Sequence, residues 1–182
     1  VEGDGVDDVV VGAGRTRLTD IGYSDRYPID QIYIHPAWDT TRTRNDVALL
    51  QLSWPLPTSV ATPISLLDDP GIPLDGTPIV QSGWGQRHDD DGGASNRLME
   101  VTANVAGSPG HNSCGVFSDF DSTSGICTDA GLGKGVCDGD SGGPNVINTG
   151  GTHYLAGVTS YGSDAGCGIY PEVLARVSTY VE

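Results

Sequence analysis

Runs of helical length are scarce in this chain, because glycine and proline break it before an apolar 3.6-residue period can be sustained. Twenty-seven glycines and eleven prolines are spread through 182 residues. Between them lie short apolar stretches bounded by turn residues, the pattern of strands. VVVGAG (9–14) reads as a buried strand ending in a turn, and QIYIHPAW (31–38) alternates until it meets a proline. DVALLQL (46–52) is a strongly apolar strand opened by a carboxylate. PIVQSGWG (78–85), RLMEVTANV (97–105) and YLAGVTSYG (154–162) are further strands. WPLPTSVATPISL (54–66) is a proline-broken extended connection, and residues 118–144 read as nearly all loop. EVLARVSTYVE (172–182) begins as a strand and is able to tip into a helix. The expectation is an all-β chain, barrel or sandwich, forming one large domain or two small ones.

Charge narrows the partners. Nine basic residues against 24 acidic ones give a net charge of −15, which repels nucleic-acid phosphates and anionic lipid and keeps the surface solvated. No stretch reaches the roughly 18 apolar residues of a membrane-spanning helix. VEGDGVDDVV at the start lacks the basic and apolar regions of a signal peptide. HDDDGG (88–93) reads as a solvated loop, since its spacing matches no calcium loop. The cysteines 114, 127, 137 and 167 allow three pairings. With no CxxC pair and no histidines clustered beside them, they point to two disulfides and an oxidising compartment rather than to zinc.

The chemistry gathers in CDGDSGGP (137–144). Glycines beside Ser141 permit turns that a side chain would forbid and let a carbonyl approach closely. The N–H groups of Gly139 and Ser141 can then converge as an oxyanion hole, an arrangement worth about 3–4 kcal/mol in a transition state. A plain surface turn would carry the same residues. Asp46, in RNDVALLQL, either caps a turn or is a buried carboxylate that needs a donor.

Taken in order, several segments resemble the trypsin/chymotrypsin-like serine proteases over nearly the whole chain. CDGDSGGP resembles the nucleophile loop, and RNDVALLQL, with IHPAW before it, resembles the segment carrying the catalytic aspartate. SGWG resembles the segment before the autolysis loop, GVTSYG the strand that pairs with substrate backbone, and PEVLARVSTYV the end of the last barrel strand. The resemblance implies two antiparallel six-stranded β-barrels with the active site between them. Residues 1–60 would be the remainder of an incomplete first barrel, and 61–182 the connection and second barrel.

It also implies roles. Ser141 would be the nucleophile and Asp46 the carboxylate orienting the base. Gly139 and Ser141 would form the oxyanion hole, and Asp140 would receive the α-amino group freed by zymogen cleavage. Ser160, Tyr161 and Gly162 would bind substrate. Gly135 and Val136 would lie at the floor of the primary specificity pocket, where trypsin-like members carry aspartate. Glu172 would stand on its back wall, where relatives usually have glycine, unless it is an exposed strand-edge residue. Cys137–Cys167 and Cys114–Cys127 would be the disulfides. Neither cofactor nor metal is implied. The expected partners are polypeptide substrates and protein protease inhibitors, not nucleic acid or membrane, for a secreted monomer.

The base is the gap in the pattern. Family order is His, Asp, Ser, so it must precede Asp46. His35 alone does, eleven residues upstream, at a position that is structural in relatives. His88, His111 and His153 follow the aspartate and match no motif. The expectation is a fragment lacking an AAHC segment and a C-terminal helix, inactive alone, whose parent is a serine endopeptidase. The alternative is a non-catalytic homologue serving as a binding module.

Overall fold

The computed structural model describes residues 3–88, 92–106 and 114–181. His111 and residues 89–91 of the acidic loop lie outside them. Ten strands follow in order: β1 (Val10–Gly12), β2 (Arg26–Ile34), β3 (Ala48–Leu52), β4 (Ser65–Leu66), β5 (Pro78–Gly83), β6 (Met99–Val105), β7 (Gly125–Asp129), β8 (Pro144–Thr149), β9 (Thr152–Tyr161) and β10 (Glu172–Arg176). The helical content among these residues is short 3-10 turns, the last over Val177–Thr179. The C-terminal stretch thus turns at the end of β10 without continuing as an α-helix. No helix among the described residues is long and apolar enough to cross a membrane.

The strands form two sheets of different completeness. One is three-stranded and antiparallel, in the order β1-β2-β3. The other runs β10-β7-β6-β5-β8-β9-β4, and β10 pairs back onto β9. That last pairing closes β5 to β10 into a six-stranded antiparallel barrel, with β4 lying parallel along β9. The all-β expectation holds, with one barrel closed and the other represented by an open sheet.

The barrel fills itself by strand alternation. Ile79 on β5, Ala103 and Val105 on β6, Ile126 on β7, Ile147 on β8, Ala156 on β9 and Leu174 on β10 turn inward, and Leu67 seals one side. Cys114 and Cys127, joined as a disulfide, form a smaller cluster with Val173. Two segments depart from the sequence expectation. GICTD, placed within a long loop by its glycine-rich flanks, is β7, buried along four of its five residues. VVVGAG, expected to be buried, yields the short β1, on which Val10 stays 52% exposed. Its apolar run gives the right element, but among the described residues its outer face is left uncovered. The same holds for β3, where Leu49 is 73% exposed.

Stability therefore resides in the closed barrel. In the 182-residue chain, Ile147→Ala is expected to cost about 2–5 kcal/mol by leaving a cavity at a residue only 1% exposed. Leu49→Ala should cost less than about 1 kcal/mol. Urea denaturation of the two variants checks the contrast.

Candidate active site

Ser141 sits in the turn that leads into β8. Gly139 (φ 93°) and Gly142 (φ 79°) on either side take left-handed backbone, a conformation costly to any residue with a Cβ. The turn is pinned from both ends. Asp140 N donates to Cys137 O (2.9 Å), Gly143 N to Asp140 O (2.8 Å), Gly142 N to Thr159 O (2.8 Å) and Thr159 N back to Gly143 O (3.0 Å). Between these bonded neighbours, the N–H groups of Gly139 and Ser141 make no backbone hydrogen bond among the described residues. They are free to serve an external acceptor. The Cys137–Cys167 disulfide ties the same turn to the loop beyond β9.

Asp46 comes from the other sheet, two residues ahead of β3. Asn45 before it has a positive φ of 56°, which asparagine tolerates better than most residues, and its amide donates to Ala37 O at 2.8 Å. That local kink aims Asp46 across the interface, where Ser160 Oγ of β9 donates to its Oδ2 at 2.6 Å. The donor that a half-buried carboxylate needs thus comes from a residue 114 positions away. Asp46 and Ser141 line one cleft of about 480 Å³, together with Trp38, Val47, Leu50 and Val158.

None of the described histidines lines that cleft. His35 packs edge-on against Tyr180, with ring centroids 5.4 Å apart, and its Nδ1 accepts from Ala37 N at 3.1 Å. His153 lies on the β8–β9 hairpin, 3.3 Å from Asn148 Nδ2. His88 lines a separate cavity of about 280 Å³.

Asp140 points into that second cavity. Its Oδ1 accepts from Gly85 N (2.8 Å) and its Oδ2 from Cys137 N (3.1 Å). The carboxylate lies so close over Gly83 and Gly85 that a Cβ at either would collide with it. The SGWG segment carries glycine at these positions because Asp140 occupies the space.

A third cavity, about 460 Å³, adjoins Ser141 and is also lined by Val136, Tyr161, Gly162 and Glu172. Glu172 is not at an exposed strand edge; it opens β10 and is only 4% exposed. Its Oε1 accepts from Val136 N at 3.0 Å. The carboxylate presses onto Gly135, where a Cβ would overlap it. Gly135 consequently lines the neighbouring cavity rather than this one, because the glutamate covers it. Burial pushes Glu172 up to about 7, against the partial relief of the Val136 hydrogen bond. Tyr161, on the rim, packs edge-on against Phe117 at 5.4 Å. Its phenol is held above its ordinary range by burial and by Asp119.

The sequence matches the family described as Trypsin over residues 1–182. The chain belongs to the trypsin family. It is 30% identical to brachyurin of Leptuca pugilator, over all of this chain and 77% of that protein. It is 32% identical to chymotrypsin-2 of Vespa crabro, over 86% of this chain and 67% of that one. It is 28% identical to the inactive CLIP domain-containing serine protease A3 of Aedes aegypti, over 85% of this chain but 34% of the longer relative. Trypsin-like proteases act on polypeptides, so the family makes this chain a peptidase homologue, and the family includes an inactive member.

Sequence reasoning missed two features. The Ser160–Asp46 bond joins distant segments and carries no local signal. The polar residues Gln81 and Thr128, buried behind Glu172, do carry one. Gln81 stands two residues after Ile79 on a strand of period two, so it faces inward.

The raised Glu172 carboxyl sets the sign of a pH effect. The folded protein holds this proton more tightly than the unfolded chain does. Its contribution to stability is therefore complete below about 4.5 and is lost as pH rises through about 7. Relative to wild type, Glu172→Gln should gain stability at pH 8 but not at pH 4. The gap between the Tm values at these two pH values should change by roughly 10 °C, read by thermal denaturation.

Proposed function

We propose that this chain belongs to a serine endopeptidase that hydrolyses peptide bonds through an acyl-enzyme on Ser141. The observation that carries this reading is the shared cleft: an exposed serine on a pinned turn and a carboxylate held by Ser160 line one space, which is large enough for an imidazole ring. In this reading the base is a histidine from a segment outside these 182 residues. It takes the proton of the Ser141 hydroxyl as the oxygen attacks the scissile carbonyl and passes it to the departing amine. Asp46 orients the imidazole and stabilises its cation. The unused N–H groups of Gly139 and Ser141 support their assignment to the oxyanion. Water then hydrolyses the ester and frees Ser141.

Residues 1–60 are read as part of a first barrel and 61–182 as the connection and second barrel. The exposure of Leu49 and Val10 supports this, since an incomplete barrel leaves apolar faces uncovered. Asp140 beside an open cavity fits an acceptor for an α-ammonium group released by activation cleavage. Ser160, Tyr161 and Gly162 border the substrate cleft, and Val136 and Glu172 line the primary pocket. The carboxylate there accepts a lysine or arginine side chain from the back wall, and its bulk over Gly135 shortens the pocket for large apolar ones. The two disulfides and the acidic surface fit a secreted, monomeric enzyme meeting polypeptide substrates and protein inhibitors.

A second reading, a non-catalytic homologue acting as a binding module, draws on the inactive mosquito relative. A serine-directed phosphonate probe separates the two. The full-length protein should be labelled at Ser141, and labelling should vanish in Ser141→Ala and fall at least about 100-fold in rate in Asp46→Asn. The 182-residue chain should not be labelled. An unlabelled full-length protein rejects the endopeptidase in favour of the module. In the labelled enzyme, Glu172→Gly should lower kcat/KM for lysine relative to a large apolar P1 residue by about tenfold or more. An unmoved preference removes Glu172 from the pocket.

A further inference from the structure

The second barrel contains a polar group that its core does not require. Gln81 of β5 is 1% exposed and Thr128 of β7 is 0% exposed, and both sit beside Glu172. Gln81 Nε2 donates to Thr128 Oγ1 at 3.2 Å. Buried polar groups persist at a cost unless each finds a partner. Here two oxygens of one cluster lack one: Glu172 Oε2 and Gln81 Oε1. Both are acceptors. Gln81 and Thr128 lie near enough to the carboxylate to hold its pKa down, yet neither reaches hydrogen-bond geometry at Oε2. What the cluster lacks is a donor, and a proton on Glu172 supplies one.

From this geometry we infer that Gln81 and Thr128 are positioning residues of a two-state specificity pocket, in which Glu172 selects a cationic P1 side chain when ionised and an uncharged one when protonated. The device is the Gln81 amide, whose two ends differ. Its Nε2 faces a carboxylate; after a half-turn, its Oε1 accepts from the carboxylic acid. Thr128, able both to donate and to accept, serves either state. Val136 N holds Oε1 in place throughout, so the change falls on Oε2.

The surroundings leave this charge unneutralised. Asp129, at the end of β7, opposes ionisation of Glu172. Asp138, Tyr161, Asp164 and Tyr170 share its cavity and bring no cation to it. Arg87, His88, Glu100, Lys134 and Asp140 line the cavity on the far side of Gly135. Among the described residues that line Glu172's own cavity none is cationic, so the cation proposed to satisfy its ionised form there is the substrate's own.

The inference rests on the endopeptidase reading and is tested in the full-length enzyme. Matched peptides with lysine or methionine at P1 are cleaved from pH 5.5 to 8.5. The lysine-to-methionine ratio of kcat/KM cancels the titration of the catalytic histidine, and lysine itself stays protonated throughout. The ratio should rise about tenfold, with an inflection near 7, and should be flat in Glu172→Gln. Gln81→Leu and Thr128→Val should move the inflection upward, because both side chains lie close enough to favour the ionised carboxylate. Thr128→Ser should restore it. A flat wild-type ratio, or an inflection that both variants leave in place, overturns the inference. If no peptide is cleaved and Ser141 resists the phosphonate, the endopeptidase reading fails separately. The proton switch is then judged by carbon-13 NMR of the Glu172 carboxyl. Titration near 7 that Gln81→Leu or Thr128→Val displaces upholds the switch, whereas titration near 4.5, or indifference to both, rejects it.

Discussion

Strand β9 must pair on both sides for anything else in this molecule to hold its place. It zips against β8 along most of its length and receives β10 on its other edge, closing the barrel. Closure brings the Leu174 side chain hard against the backbone of Gly157. A Cβ at 157 would stand 2.9 Å from that of Leu174, well inside van der Waals contact. Once the ring is shut, the C-terminal end of β9 presents Thr159, Ser160 and Tyr161 to the inter-sheet cleft. Thr159 bonds the Ser141 turn, Ser160 bonds Asp46, and Tyr161 borders the cavity beside Ser141.

The barrel interior is not uniformly apolar, and its polar part lies to one side. Ile79, Ile126, Ile147 and Leu174 fill one region, while Gln81, Thr128, Asn145, Thr159 and Glu172 are buried towards the clefts. Asn145 donates to Gly143 O and to Thr159 Oγ1, stiffening the turn that carries Ser141. Glu172 is the expensive member, since burial opposes its charge. The core thus accepts a stability penalty at the wall where the proposed pocket needs a carboxylate, a trade expected of functional positions.

How much of this was readable depended on whether the signal was local. Strands β5, β6, β9 and β10 announce themselves by apolar alternation and terminal glycines, and the DSGGP turn by its residues. β7 was not legible, because GICTD is only five residues long and its burial comes from β6 and β10 on either side. Nor was the exposure of β1 and β3, since an apolar pattern specifies a face to be covered and not what covers it. Within the candidate site, Ser141 and Asp46 stood out as residue types in motifs. Their common cleft is a tertiary fact. The burial of Glu172 rests on Val136 and Gly135 packed against its carboxylate, contacts that no local pattern encodes.

The bond between Ser160 and Asp46 also orders events in time. Its ends are 114 residues apart, so joining them closes a long loop whose entropy must be lost before the contact gives anything back. The barrel's own hairpins close far shorter loops and can assemble earlier. A partly folded chain would then carry the serine turn without its carboxylate partner in place. On the proposed endopeptidase reading, an enzyme assembled in that sequence stays chemically silent towards neighbouring nascent chains until its two halves have docked.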